Sequence, residues 1–112
     1  MAQRQPNAKG PFAIFNCYDD DAMGAIAALK QNGRNDVQVY SFNATAPAVQ
    51  AVKDGTMTAT LGVDLTSAGK ELIDQIPDII KAGEAWKPKS FIPGYTIVTK
   101  DDVDQILKSN PQ

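Results

Sequence analysis

Apolar residues fall into short blocks separated by stretches with helical spacing. Residues 12–17 (FAIFNC) form a compact apolar run after Lys9-Gly10-Pro11 and predict a buried strand. Asp19-Asp20-Asp21 follows as an N-cap and acidic first turn, suited to the positive end of a helix dipole. Ala22, Ile26 and Leu29 recur at helical spacing, and Asn32-Gly33 closes that helix. The cycle then repeats. Val37–Phe42 predicts a second strand, and Thr45 caps a short helix carrying Val49 and Val52 that ends at Gly55. Residues 57–63 predict a third strand. Thr66 or Ser67 opens a longer helix, about 66–82, with Leu72, Ile73, Ile76, Ile79 and Ile80 as its apolar stripe, ending at Gly83. Pro77 inside that pattern predicts a kink or a break. Residues 84–93 read as a loop with Trp86, Tyr95–Val98 as a fourth strand, and Thr99-Lys100-Asp101-Asp102 as a capping box opening a last helix through Leu107. The tail 109–112 is expected to fray.

Strands and helices in strict alternation mean βαβ units. The fold class is α/β: a parallel open sheet with flanking helices. No internal repeat at a fixed period is present, which removes solenoids.

Composition narrows the function. The chain has 112 residues, one domain's worth, with 43% apolar and 21% charged residues, as in a globular protein. A net charge of −2 with eleven dispersed basic residues argues against a nucleic-acid or anionic-membrane partner. There is no histidine and one cysteine, Cys17, so zinc sites, His-based triads and haem ligation drop out. Cys17 reads as a small buried hydrophobe, and the aromatic residues Tyr40, Tyr95, Trp86 and the phenylalanines read as core or loop packing. No apolar run approaches the roughly 20 residues that span a bilayer. Residues 1–11 lack the apolar region of a signal peptide, so none is expected in this chain.

In open α/β sheets, ligands bind beyond the carboxyl ends of the strands, on the loops that lead into helices. That rule selects Cys17-Tyr18-Asp19-Asp20, Asn43-Ala44-Thr45 and Val63-Asp64-Leu65-Thr66. Tyr18 offers a ring and a hydroxyl, Asn43 a donor and an acceptor, and Asp64 charged acceptors. Such a set suits a small hydroxyl-rich ligand. Each residue also has an ordinary structural reading. Asp19, Thr45 and Thr66 are good helix caps, and Asn43 is a turn residue that tolerates left-handed geometry.

Catalytic motifs are absent: there is no GxGxxG, P-loop or GxSxG. One constellation stands as an alternative. In a receiver-type phosphoacceptor domain an acid pair, an aspartate and a lysine follow successive strands, and Asp19/Asp20, Asp64 and Lys100 fall in that order. That reading would place magnesium at Asp19 and Asp20 and a phosphoryl group on Asp64. Against it stand four strands instead of five.

The run at 13–29 (AIFNCYDDDAMGAIAAL) resembles a pattern in periplasmic sugar-binding proteins of the ribose/galactose type, where a strand like "AIFAAND" enters a helix like "MALGAIQAL". The likeness continues through VYSFNATAPAVQAVKDGTMTATLGVD, similar to the family's "VVGFDGTPEALQAIKDGKLTATVAQD", and through YTIVTKDDVDQI at the end. Order and spacing cover the chain from Pro6 to Leu107. Effector domains of lac-repressor-type regulators share the pattern and form a second alternative.

The resemblance implies a two-lobe protein with ligand in the cleft, of which this chain is the last part, a partial lobe of a type 1 periplasmic binding fold with flavodoxin-like layering. It implies that 1–9 end a preceding helix, that 10–63 and 94–109 belong to the second lobe, and that 64–93 cross to a first lobe missing from this chain. It also implies a non-catalytic solute-binding role in an ABC-type importer, with a sugar-like ligand, an ABC permease as partner, a periplasmic location and no cofactor. By the resemblance, Tyr18 stands where the family often has a sugar-binding Asn, Asn43 where it often has Asp, and Val63 where it often has Gln or Asn. Asp64 matches the aspartate that often follows, and Asp19 adjoins Tyr18. With half of the cleft absent, the chain alone is expected to bind sugars weakly or not at all, and the uncovered stripe at 66–82 and an open sheet edge lead to an expected homodimer or exchange-type assembly through one of the two.

Overall fold

The computed structural model describes residues 10–109, so the expectations for 1–9 and 110–112 lie outside the described residues. The elements are β1 (Phe12–Phe15), α1 (Asp19–Gln31), β2 (Val37–Phe42), α2 (Ala46–Asp54), β3 (Ala59–Val63), α3 (Leu65–Asp74), α4 (Ile76–Ala82), β4 (Tyr95–Val98) and α5 (Val103–Ser109). The sheet order is β1-β2-β3-β4. β1 pairs parallel with β2, Phe12 opposite Val37 and Phe15 opposite Tyr40, and β2 pairs parallel with β3, Tyr40 opposite Ala59. The α/β class and the parallel pairing agree with the alternating pattern. β3 begins at Ala59 instead of residue 57, because Thr58 turns its hydroxyl onto the Val39 N–H and Met57 packs inward.

The described residues divide into two compact units, 10–62 with 97–109, and 63–96. In the first unit, Ala22 and Leu29 of α1, Val39 of β2, Ala48, Ala51 and Val52 of α2, and Met57 form one buried cluster. Burying each larger side chain among these stabilises the unit by roughly 1.5–3 kcal/mol. Val49, Val98 and Val103 form a second cluster, and a Lys53–Asp104 ion pair at 3.0 Å ties α2 to α5. α2 ends at Gly55, whose φ of +78° is one that a Cβ would oppose.

Three expectations change here. β1 is not fully buried: it is an edge strand, with Phe12 and Ile14 turned inward while Phe15 is 78% exposed and stacks on Tyr40 at 4.8 Å. Cys17 is exposed, since it lies in the loop past the end of β1. The cap of α1 falls at Tyr18, whose extended backbone (φ −141°, ψ 151°) precedes the helix, so Asp19 is its first helical residue.

In the second unit the expected long helix is broken at Gln75, two residues before Pro77, which lacks the N–H an unbroken helix would use. Leu72, Ile73, Ile76, Ile79 and Ile80 all remain exposed, from 37% to 76%, as does Tyr95 at 52%. Trp86 is half-buried, and its indole N–H is buried without a partner among the described residues. The unit also holds a backbone bond from Asp64 N–H to the Gly94 carbonyl at 2.8 Å and a Lys89–Asp78 ion pair at 3.6 Å.

Candidate functional site

Parallel pairing sends the carboxyl ends of β1 and β2 to the same edge of the first unit. Asn16 extends the β1–β2 ladder, donating its backbone N–H and its side-chain amide to the Tyr40 carbonyl at 2.9 and 3.2 Å. The chain then rises through Cys17 to Tyr18, whose side chain is 61% exposed at the mouth of α1. Past β2, Asn43 and Ala44 take positive φ values of +120° and +53°. Such angles are strained for non-glycine residues and persist only where the surroundings over-determine them. The surroundings are visible: Asn43 N–H donates to the Leu61 carbonyl at 2.8 Å, and Ala44 N–H donates to Thr60 Oγ1 at 3.1 Å. The Asn43 side chain is exposed.

Beneath these two loops lies Asp19, 1% exposed. Its Oδ1 accepts from Ser41 Oγ at 2.5 Å and from Thr60 Oγ1 at 2.9 Å, and its Oδ2 accepts from Thr45 N–H at 2.7 Å and Thr45 Oγ1 at 2.9 Å. A carboxylate has about four acceptor positions, and four donors fill them here. One side chain at the start of α1 thereby joins β2, β3 and the β2–α2 loop. Thr45 heads α2 without a side-chain capping bond, because its hydroxyl is engaged with Asp19 instead.

Ser41 and Thr60 lie within strands, outside the loops that the sequence pattern selects. The signal was present. Ser41 shares the inward face of β2 with buried Val39, and Thr60 is the buried residue of β3. A hydroxyl on the inward face of a strand asks for a buried partner.

Val63 and Asp64 belong to the second unit. Val63 is half-buried and Asp64 exposed. The Asp64 carboxylate accepts the Ser67 N–H at 2.9 Å and caps α3, so the helix opens one residue or more earlier than Thr66 or Ser67 would have it. That backbone bond, aided by the Ser67 hydroxyl, holds the Asp64 carboxyl below the ordinary carboxylate range. Asp20 and Asp21 are exposed, and among the described residues no group of three or more His, Cys, Asp or Glu side chains could hold a metal ion. With the Asp19 oxygens fully engaged, the acid pair that a receiver domain would offer to magnesium is not available.

The arrangement is that of an α/β module presenting polar loops at the carboxyl edge of its parallel strands. The chain belongs to the periplasmic binding protein domain family, which it matches over residues 1–85. It is 30% identical over 106 residues to the D-apiose import binding protein of Paraburkholderia graminis, covering 95% of this chain and 33% of that protein. It is 33% identical over 92 residues to the ribose import binding protein RbsB of Salmonella typhimurium, covering 82% of this chain and 27% of that one. The chain thus spans about one third or less of the curated relatives it matches. Among solved structures, a Caulobacter myo-inositol binding protein bound to myo-inositol superposes with a TM-score of 0.76 at 26% identity, over 93% of this chain and 35% of that one. A galactofuranose binding protein shares the fold, with a TM-score of 0.80 at 21% identity, over 98% of this chain and 38% of that one.

Proposed function

We propose that this chain is the carboxyl-terminal portion of a sugar-binding protein that delivers a small, hydroxyl-rich solute to an ABC-type importer in the periplasm, without catalysis and without a cofactor. The observation that carries the reading is the pair of loops at the carboxyl edge of the first unit, with Tyr18 and Asn43 exposed above a fully satisfied Asp19, in a chain of this family. The names of its relatives, import binding proteins for D-apiose and ribose, favour transport over the receiver and regulator alternatives. Tyr18 would supply a stacking face and a hydroxyl, and Asn43 a donor and an acceptor. Asp19 stands behind the contacts.

The remaining two thirds of the binding protein would supply the other wall of the cleft and the docking surface for the permease, with residues 64–93 crossing towards that missing lobe. One wall leaves most of a ligand wet, so the isolated chain binds weakly. In that isolated state the exposed stripe of α3 and α4 would be covered by a second copy of the chain. Amide chemical shifts of the chain titrated with D-ribose, D-apiose and myo-inositol test the reading. Weak, saturable perturbation at Tyr18 and Asn43 is expected. No perturbation with any of the three overturns the site, and sub-micromolar binding overturns the two-wall account.

A further inference from the structure

We propose that Asp19 is a positioning residue for the ligand edge: its buried carboxylate fixes the relative placement of the loops that carry Tyr18 and Asn43. The inference rests on the reading of that edge as the sugar site, and it assigns the site an internal tie. Tyr18 is the residue immediately before Asp19, so any shift of the carboxylate moves the backbone that presents the Tyr18 ring. Asn43 lies two residues before Thr45, whose N–H and hydroxyl both end on Asp19 Oδ2. Between them Ala44, at φ +53°, hangs its N–H on the Thr60 hydroxyl, and that hydroxyl in turn donates to Asp19 Oδ1. The first loop thus carries the side chain on whose two oxygens the second loop ends.

The polarity of the network explains why a carboxylate stands here. Four donors converge and no acceptor faces them, so an acceptor-only group matches all four. An asparagine of the same shape would turn an N–H₂ towards two of those donors. It would release either Thr45 or the Ser41–Thr60 pair; losing Thr45 would free the end of the loop after the strained Asn43 and Ala44, leaving only the bonds to Leu61 and Thr60 to hold that turn. Binding through two loops requires their geometry before the ligand arrives, so loosening the tie weakens affinity even though Asp19 touches no ligand.

The test compares Asp19→Asn, Thr45→Val and Thr45→Ser with wild type, titrating each with D-ribose and myo-inositol and following the amides of Tyr18 and Asn43. Met57→Ala serves as the control for general loss of stability, since Met57 lies in the buried cluster of α1 and α2. Asp19→Asn should weaken binding by about tenfold, the effect of losing charge-assisted hydrogen bonds, and should speed amide exchange at Thr45 ahead of the core. Thr45→Val should weaken it by a few-fold, and Thr45→Ser, which restores the hydroxyl, should bind as wild type. Met57→Ala should bind as wild type once corrected for the folded fraction. If Asp19→Asn does not fold, the Thr45 pair decides, and equal binding by Thr45→Val and wild type overturns the tie. Unchanged affinity in Asp19→Asn, or an equal loss in Met57→Ala, overturns the inference while leaving the site reading intact. A wild-type chain that no sugar perturbs overturns the site reading and the inference together.

Discussion

Asp19 and Thr45 are separated by 26 positions in the chain, yet Asp19 Oδ2 accepts both the backbone N–H and the hydroxyl of Thr45, at 2.7 and 2.9 Å. Hydrogen bonds to a carboxylate are shorter and stronger than neutral ones, and the Asp19 side chain itself is almost wholly shielded from water, although Thr45 is exposed. The pair therefore serves two ends. It closes the top of the first unit, where α1 and α2 begin, and it sets the loop from which Asn43 projects. Its strength makes the surrounding hydroxyls sensitive positions.

Thr60→Val keeps the shape of a buried side chain and removes its hydroxyl. Asp19 Oδ1 loses a donor and Ala44 N–H loses its acceptor. Two unmet polar groups in the interior should destabilise the protein by about 2 kcal/mol. Urea unfolding followed by circular dichroism measures it, and a midpoint equal to wild type would refute the network's energetic role.

Asn43→Gly should act in the opposite direction on stability. The φ of +120° at Asn43 is one that glycine adopts freely. Relief of backbone strain should raise stability by about 1 kcal/mol, while the sugar-induced shift at Tyr18 weakens because the side-chain amide is gone. A gain in stability with full sugar response would remove Asn43 from the contact set.

The cap of α3 carries a pH dependence. Asp64 has a folded pKa below the ordinary carboxylate value because its charged form accepts the Ser67 N–H. A depressed folded pKa means that the cap's contribution is complete above the unfolded value, near ~3.9, and is lost as pH falls through the lower folded value. The Ser67 amide resonance should report that loss on acidification. Asp64→Asn keeps a good cap and should abolish the titration at Ser67. Titration persisting in the variant would mean another group is responsible.

Association provides a further outcome. Leu72, Ile73 and Ile80 are each more than 60% exposed in the second unit, with Ile76 at 44%. Sedimentation at micromolar concentration should show a dimer, and Ile76→Asp should shift it to monomer. A wild-type chain that sediments as a folded monomer rules out the self-association.

Met57→Ala probes the main core. Met57 is 2% exposed and packs with Leu29, Val39 and Val52. The cavity left should lower stability by about 3 kcal/mol, within the range for large-to-small core changes. A loss below 1 kcal/mol, on the order of a surface change, would mean the cluster closes over the gap.

The order of elements and the α/β class were legible in the chain, and the family through the resemblance of its motifs in order and spacing. The first two follow from local physics: short apolar runs, period-3.6 patterns, the stop at Asn32-Gly33 and Gly55, and the missing N–H of Pro77 all act within a few residues of where they stand. The loops after β1 and β2 were legible too, because parallel βαβ connectivity sends successive strand ends to one edge. What Asp19 does was not legible. As an aspartate at a helix start it read as a cap, and its three partners, Ser41, Thr45 and Thr60, lie 22, 26 and 41 positions away. Only the tertiary structure brings them together, because sheet pairing sets which inward hydroxyls meet a given carboxylate. The burial of β1 was likewise beyond the local pattern: Phe15 is as apolar as Val39, but β1 is an edge strand and β2 is not. Burial is a property of what covers a residue, and the chain's own periodicity carries no record of that cover.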